Sequence, residues 1–126
     1  TDVVKGFHDN GIKVSMFIDP EAAQVEASAQ TGANFVELHT GAYSNADDLD
    51  RFAELERLVE SAKRAINCGL VFNAGHGLTV RNLRPVAAIP GLNEVNIGHN
   101  IISRALFIGL HAAVTEILDV LKECAK

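Results

Sequence analysis

Residues 70–78 read LVFNAGHGL, a short apolar run that passes directly into a histidine flanked by two glycines. An apolar run of this length after Gly69 is typical of a buried β-strand, which we predict over 70–74. The glycines that follow predict a loop at the carboxyl end of that strand, before a short helix that begins near Asn82. This strand, loop and helix form a unit whose plan recurs along the chain.

Three further units surround this stretch. The other predicted elements are, in chain order, an N-terminal helix before Gly11, a strand over 12–18, a helix from Asp19 to about residue 30, a strand over 35–39, a loop over 40–44, a helix over 47–67, a strand over 94–97 and a final helix of about 25 residues after Gly98. Asp19 and Pro20 are matched helix-start signals, because Asp accepts a free amide hydrogen and Pro has no amide to leave unsatisfied. Apolar residues recur at helical spacing in both long helices, namely Leu55, Leu58, Val59, Ala62 and Ile66 in the first and Ile102, Leu106, Leu110, Val114, Ile117 and Leu121 in the second.

The alternation of strands and helices predicts an α/β fold with a parallel sheet and right-handed crossovers, and periodicity alone leaves both a doubly wound sheet and a barrel open. Each predicted strand ends in a polar or glycine-rich group, at Asp19, 39–41, 75–77 and 98–99. Barrel enzymes place reactive groups at the carboxyl ends of many strands, whereas a doubly wound sheet concentrates them at one switch point. We therefore predict four βα units of a TIM (β/α)8 barrel, a single half-barrel segment over residues 1–126.

The composition excludes several classes of protein. Of the 126 residues, 48% are hydrophobic and 21% are charged, which is typical of a globular domain rather than a disordered chain. The net charge of −5 argues against a nucleic-acid partner. No apolar run approaches the roughly 18 residues of a membrane span, and the N terminus lacks signal-peptide features, so we expect a cytoplasmic protein. Cys68 and Cys124 are expected to be reduced thiols.

Two glycine-rich loops are candidate phosphate-binding sites. Gly98 and His99 precede the last predicted helix, whose first-turn amides and dipole would hold a phosphate dianion. The loop over 75–77 would supply further amides, with Gly77 allowing close approach of the backbone. Each loop taken alone is explained as a tight βα turn, but two of them on successive strands favour phosphate binding.

Two ionisable residues are candidates for chemistry. His76 lies between glycines beyond a strand end, where an imidazole is accessible and exchanges protons near neutral pH. Glu37 interrupts an apolar strand and would project into a barrel interior together with His39, unless it lies on an exposed edge or in a structural ion pair. His39 faces either this site or the helix layer, and Asn73 and Asn96 are candidates for orienting ligands or neighbouring side chains. No cluster of residues predicts a metal site.

Three segments carry a resemblance to a known family. Residues 35–41 (FVELHTG), 73–78 (NAGHGL) and 96–99 (NIGH) closely resemble, in order and spacing, consecutive signatures of the pyridoxine 5'-phosphate synthase family. Residues 11–19 (GIKVSMFID) resemble the fifth barrel strand of that family. The resemblance covers essentially the whole chain and implies that it supplies strands five to eight.

The resemblance also implies a reaction and a set of roles. The family condenses 1-deoxy-D-xylulose 5-phosphate with 3-amino-2-oxopropyl phosphate to pyridoxine 5'-phosphate, releasing phosphate and water and using no organic cofactor. Glu37 would stabilise cationic or polar intermediates, and His76 would be a general acid toward departing groups. Gly77, Gly98 and His99 would bind substrate or product phosphate.

The family's motifs from the first barrel strands do not occur in this chain. The resemblance therefore implies that the chain alone is inactive and needs a partner, which would be the missing N-terminal half, a second copy or further homo-oligomer contacts. The start on Thr1, within a predicted helix, leads to the same expectation of a missing segment.

Two other functions stay open at the level of sequence. One is a different phosphate-binding barrel, an isomerase or aldolase, in which Glu37 and His76 do acid–base work on a sugar phosphate. An aldolase would need an interior lysine, and Lys13 lies too near the start of its strand. The other is a half-barrel that binds phosphate or assembles with partners without turnover.

Overall fold

Strands and helices alternate along almost the whole chain. In a computed structural model, which describes residues 1–124, the strands are β1 (Ser15–Ile18), β2 (Phe35–His39), β3 (Val71–Gly75) and β4 (Leu92–Asn96). The helices are α1 (Asp2–Asp9), α2 (Ala22–Gln30), α3 (Gly41–Asn45), α4 (Asp48–Asn67), α5 (Leu83–Ala87), α6 (His99–Ile108) and α7 (Leu110–Cys124). The predicted α/β class is therefore confirmed.

The four strands form one parallel sheet in the order β1-β2-β3-β4. The register places Phe17, Glu37 and Asn73 in one row across three strands. His39 lies beside Gly75, which lies in turn beside Asn96 at the carboxyl edge. Because partners in register point to the same side of a sheet, both rows belong to one face.

Helices pack on the opposite face and form the core with it. Burial alternates along β2, where Val36 and Leu38 are fully buried while Glu37 and His39 are half-buried. The core that includes these two strand residues also contains Val25, Leu58, Ala62, Phe72, Ala74, Leu83, Val86 and Ile117, contributed by β3 and by four of the helices. On the uncovered face, the Phe17 side chain is 59% exposed. This face therefore carries Phe17, Glu37 and His39, all at least partly accessible, whereas the covered face carries buried apolar side chains.

The strand boundaries agree with the prediction most closely at β2, which covers 35–39 as expected. β1 lacks the predicted residues 12–14, since the Val14 amide donates to the Asn34 side chain (2.9 Å). β3 is displaced by one residue from 70–74. β4 covers 92–96 instead of 94–97, because a register irregularity opposite residues 72–74 places an additional residue in this strand.

The start predicted for α2 at Asp19 is wrong. The helix begins at Ala22 with Glu21 as its N-cap. The Asp19 carbonyl accepts the Glu21 amide (2.8 Å), and its carboxylate lies 3.4 Å from Nδ1 of His39 on the neighbouring strand. The Asp19 side chain therefore contacts the adjacent strand end instead of capping the helix.

A helix, α3, replaces the loop predicted over 40–44. Its Tyr43 side chain is 1% exposed and donates a hydrogen bond to the Asn82 carbonyl (2.7 Å), 39 residues further along the chain. A five-residue helix is too short to be stable by itself. Tertiary burial of Tyr43 therefore accounts for an element that local sequence does not reveal.

The single long helix predicted after Gly98 is also wrong. Gly109, with φ +82° and ψ 154°, separates α6 from α7. The two helices pack against each other and are joined by the ion pair between Arg104 and Glu116 (2.9 Å). Because this backbone conformation is essentially restricted to glycine, Gly109 ends the helix that apolar spacing would continue.

The predicted apolar stripes are only partly buried. On α4, Leu58 and Ala62 are buried, but Ile66 is 45% exposed. On α7, Ile117 is buried, and Leu121 packs against the core. None of the residues of α6 is buried, and its exposed apolar side chains are Ile102, Leu106 and Phe107, with Leu110 following at the start of α7.

Both cysteines are free thiols, as expected from their separation in the sequence. Among residues 1–124, there is no helix whose length and apolar character suit a membrane span.

Candidate functional site

A cleft of about 550 Å³ opens at the carboxyl edge of the sheet. It is lined by Phe17, Glu37, His76, Gly77, Leu78, Thr79, Asn96, Ile97, Gly98, His99 and Asn100. All five residues predicted to form a site, Glu37, His76, Gly77, Gly98 and His99, are in this lining. The fold thus brings together residues from three separate strand ends.

The Glu37 carboxylate is oriented by its neighbours in the sheet. The Asn96 side-chain amide donates a hydrogen bond of 2.6 Å to Oε2 of Glu37. A Cβ atom at Gly75 would lie 2.4 Å from Oε1, so the absence of a side chain there leaves room for the carboxylate. Glu37 is therefore a half-buried acceptor aimed into the cleft, and one function left open for Asn96, that of orienting a neighbour, is confirmed.

His76 lies on the loop after β3 and is exposed to solvent. Its φ is +84°, and Gly77 follows with φ +74°. A left-handed conformation is natural for glycine but unusual for histidine. Two consecutive left-handed residues turn the chain sharply after the strand, and the imidazole of His76 forms part of the cleft wall.

His39 faces the same side of the sheet as Glu37, so the alternative in which it faces the helices is wrong. Its ring centroid is 4.7 Å from that of His76 and 5.2 Å from that of Phe17, which approaches edge-on. Its Nδ1 atom lies 3.4 Å from Oδ1 of Asp19. His39 therefore fills the space between the ends of β1 and β3, next to the imidazole of His76.

Gly98 and His99 form the entry to α6 at the opposite wall of the cleft. Gly98 is the N-cap residue, and no side chain caps the first turn. A Cβ atom at Gly98 would meet nothing within 4 Å, so the approach to the helix end is open. The arrangement presents the positive end of the α6 dipole and backbone amides to the cleft, which suits an anion.

The loop after Gly77 is held by a partly buried network of hydrogen bonds. Asn82 accepts the Thr79 amide at its side-chain oxygen (2.7 Å) and donates to the Gly77 carbonyl (3.2 Å). The hydroxyl of Tyr43 donates to the Asn82 carbonyl (2.7 Å). Burial is the main cause that raises the pKa of the Tyr43 phenol, while nearby Arg51 lowers it to a smaller extent.

Asn73 lies outside the cleft lining and is 3% exposed. Its side chain donates to Glu94 (3.2 Å) and accepts from Asn93 (2.9 Å), the two residues at the irregularity of β4. Both polar ends of its amide are therefore occupied by β4, and Asn73 orients neighbouring side chains instead of lining the cleft.

Several lining residues were missed by sequence reasoning, among them Phe17, Thr79 and Asn100. Phe17 reads as one more apolar residue of a strand. Strict alternation would have revealed it, because Phe17 lies two residues before Asp19, the polar residue at the predicted strand end, and residues two apart point to the same face of a strand. Thr79 and Asn100 lack such a signal, since their position depends on how two loops fold toward each other.

Within residues 1–124, no group of three or more His, Cys, Asp or Glu side chains is arranged to hold a metal ion. Four lysines occur in this part of the chain, Lys5, Lys13, Lys63 and Lys122, and all of them lie outside the cleft lining. The Lys13 ammonium lies 5.7 Å from the ring centroid of Phe35. The described residues therefore offer no lysine in the cleft for the Schiff base of an aldolase.

Similar proteins provide an independent comparison for these motifs. The family model described as "Pyridoxal phosphate biosynthesis protein PdxJ" matches residues 1–123. A curated pyridoxine 5'-phosphate synthase from Synechocystis sp. is 54% identical over 115 residues, which cover 90% of this chain and 48% of that protein. The synthase of Geobacter sulfurreducens is 48% identical over 122 residues, covering 96% and 51%. The chain thus spans about half the length of the curated relatives it matches.

Solved structures give a weaker likeness. A crystal structure of a citrate synthase SbnG variant shares 15% sequence identity, with a TM-score of 0.40 over 98% of this chain and 78% of that one. The sequence matches are much closer, and they show that the chain belongs to the PdxJ family of pyridoxal phosphate biosynthesis proteins.

Proposed function

We propose that this chain is the C-terminal half of a pyridoxine 5'-phosphate synthase. The reaction would condense 1-deoxy-D-xylulose 5-phosphate with 3-amino-2-oxopropyl phosphate and close the pyridine ring of vitamin B6. One observation carries the proposal: a carboxylate, an imidazole and a glycine-lined helix N terminus, predicted separately from sequence, line one cleft. The names of the curated relatives support the same reaction.

The complete fold in this proposal is a TIM (β/α)8 barrel, to which residues 1–126 contribute one half-barrel segment with strands five to eight. Two observations support it. The strand order follows the chain without reversal, whereas a doubly wound sheet reverses its order at a switch point. Within the described residues, the helices of the core pack with the apolar face of the sheet and leave the polar face open, as the interior face of a barrel must be.

Phosphate binding is assigned to Gly77, Gly98 and His99. The uncapped first turn of α6 supplies amides and a positive dipole end, and both loops lie on the same cleft. A dianion held there would be fixed relative to Glu37 and His76, which converts binding energy into orientation of the reacting atoms.

His76 is assigned the role of proton donor to departing groups. Its imidazole is exposed in the cleft, which the N-terminal residues of α6 also line. A positioned histidine transfers protons near neutral pH, which loss of water and of phosphate both require. Glu37 is assigned to stabilise positive charge on intermediates, and the hydrogen bond from Asn96 holds its carboxylate in place.

The proposed partners are the two phosphorylated substrates and an N-terminal half-barrel, with homo-oligomer contacts in addition. In the described part of the chain, each of β1 and β4 has one neighbouring strand, so each leaves an edge to pair. The proposed reaction needs no organic cofactor, and the cytoplasm is the location we propose for it.

The test is a reconstitution of activity. The 126-residue chain is expected to form no pyridoxine 5'-phosphate from the two substrates. Mixed or coexpressed with the N-terminal half of one of its curated relatives, it is expected to form the product, which can be quantified by chromatography. Steady turnover by the chain alone would refute the half-barrel proposal.

Matched histidine variants test the assignment within the reconstituted protein. His76→Asn removes the proton donor, and a loss of roughly 100-fold or more in kcat is expected. His111→Asn changes an exposed helical histidine outside the cleft and should leave kcat unchanged. Equal effects of the two variants would remove His76 from the mechanism.

A further inference from the structure

The side chain of Thr40 makes an unexpected set of contacts at the end of β2. Thr40 occupies the N-cap position of α3, where a threonine hydroxyl usually accepts a backbone amide, yet its side chain makes no capping hydrogen bond. Its Oγ1 atom instead lies 2.7 Å from the Gly75 carbonyl oxygen and 2.6 Å from that of His76. The side chain is fully buried, so it has no contact with solvent.

The two carbonyl oxygens accept hydrogen bonds from different groups of Thr40. The Thr40 backbone amide donates to the Gly75 carbonyl (2.8 Å) and extends the ladder between β2 and β3. A hydroxyl has one hydrogen to donate at a time. The His76 carbonyl is therefore the acceptor that depends on the Thr40 side chain, with a longer contact of 3.4 Å from the Ser44 hydroxyl.

The backbone of His76 needs such a support. In residues 1–124, His76 is the only residue other than glycine with positive φ. A side chain disfavours this conformation, which persists when the surrounding structure holds it. Without the Thr40 hydroxyl, the carbonyl would keep only the weak contact to Ser44, and the peptide could rotate to a more favourable conformation.

The loop also rests closely against α3. A Cβ atom at Gly77 would lie 2.7 Å from the Cβ atom of Ser44, so this loop and this helix are in direct contact. The short helix α3 and the Thr40 hydroxyl at its start thus both contact the loop that contains His76.

We infer that Thr40 is a positioning residue: its hydroxyl holds His76 in the left-handed conformation that directs the imidazole into the cleft. The consequence for turnover rests on the proposed function, in which His76 donates a proton.

The test compares Thr40→Val, which keeps the shape but loses the hydroxyl, with Thr40→Ser, which keeps the hydroxyl. Thr31→Val is the matched control, because the Thr31 hydroxyl also donates to a carbonyl (Ser28, 2.7 Å) but at the end of α2. The one-bond Cα–Hα coupling of His76, measured by NMR, distinguishes positive from negative φ. The kcat and KM of the reconstituted protein are measured alongside.

Thr40→Val is expected to move the coupling toward the value for negative φ and to lower kcat on the order of 10- to 100-fold with little change in KM. Thr40→Ser should keep the His76 coupling and kcat close to those of the unsubstituted protein, and Thr31→Val should change neither quantity. An unchanged coupling in Thr40→Val overturns the inference whatever the activity. A changed coupling with unchanged kcat upholds it and instead refutes the proposed function of His76.

A measurement on the unsubstituted protein covers the case in which Thr40→Val does not fold. A buried hydroxyl that donates to the His76 carbonyl exchanges slowly with water, so its proton should be observable by NMR, with contacts to the loop at 75–77. A Thr40 hydroxyl proton that exchanges freely with water would overturn the inference.

Discussion

The position of Glu37 illustrates how single residues prepare this site. Its carboxylate is half-buried, a position that is unfavourable for a charge unless hydrogen bonds compensate it. Asn96 supplies one such bond, and Gly75 supplies space. Both residues lie in the row that also contains His39, so the register of the sheet places them against Glu37.

Gly75→Ala tests whether that space is needed. The new methyl group would lie 2.4 Å from Oε1 of Glu37 and 3.0 Å from the Asn96 carbonyl oxygen. Such overpacking is expected to lower the free energy of unfolding by about 1–3 kcal/mol, measured by urea denaturation.

Gly6→Ala is the control for this substitution. An added Cβ at Gly6, within α1, would meet nothing within 4 Å, so stability should be unchanged or rise by up to about 1 kcal/mol. Similar losses in both variants would contradict a steric effect specific to Glu37.

Tyr43 is the only tyrosine of the chain, and there is no tryptophan, so its ionisation can be followed directly by absorbance. Because burial raises its pKa above the ordinary value of 10.0, the midpoint in the folded protein is expected above pH 10.0 and to return toward it in urea. The unfolded chain then loses the phenolic proton first, so Tyr43 favours the folded state below pH 10.0 and this contribution is lost as pH rises through the folded pKa. A folded midpoint at or below that of the unfolded chain would contradict burial of the phenol.

At the scale of elements, the C-terminal helices show how one glycine overrides a pattern. The apolar spacing from 102 to 121 is regular enough for a single helix. Gly109 breaks it, and the ion pair between Arg104 and Glu116 links the two halves across the break. As a result α6 ends at Ile108, and α7 packs back against it instead of extending it.

Gly109→Ala tests the break. Its φ of +82° and ψ of 154° lie in a region that is essentially restricted to glycine, so a loss of about 1–3 kcal/mol in the free energy of unfolding is expected. Gly98→Ala, at the other end of α6, has φ −108° and open space, and should change stability by less than about 0.5 kcal/mol. If Gly109→Ala is as stable as Gly98→Ala, the break does not depend on glycine.

At the scale of the whole molecule, the sheet is covered on one face only. The other face carries the cleft and the exposed Phe17 ring, and α6 presents Ile102, Leu106 and Phe107 to solvent. Apolar surface of this kind is typical of regions that contact a partner. The proposed N-terminal half-barrel would be such a partner, covering the open face and pairing with the strand edges.

A complementary half that binds the folded state must stabilise it by mass action. Adding an N-terminal half-barrel from a curated relative is therefore expected to raise the melting temperature of this chain, and the rise should grow with the concentration of the added half. The measurement is a thermal scan monitored by circular dichroism, with an unrelated half-barrel as control. A melting temperature independent of the added half would count against the proposed partner.

Much of this architecture could be predicted from local patterns. The boundaries of β2 agree with its apolar run, α4 begins one residue after the predicted start at 47, and the five candidate residues predicted at strand ends and glycines all line one cleft. The signals behind these predictions act within a few residues. Three features could not be predicted in this way: the helix α3, the break at Gly109 and the contact of the Asp19 carboxylate with His39. Each depends on a tertiary contact or a backbone conformation that apolar spacing does not encode.

By itself, the sequence determined the α/β class, the family and the identity of the ionisable and glycine residues at the strand ends, since these depend on residue type and spacing. Only the tertiary structure decided that His39 faces the cleft, that Asn96 holds Glu37 and that Thr40 supports His76. The physical reason is that each of these is a contact between strand ends that are far apart in the chain, and the register of the parallel sheet, not local spacing, sets which residues meet.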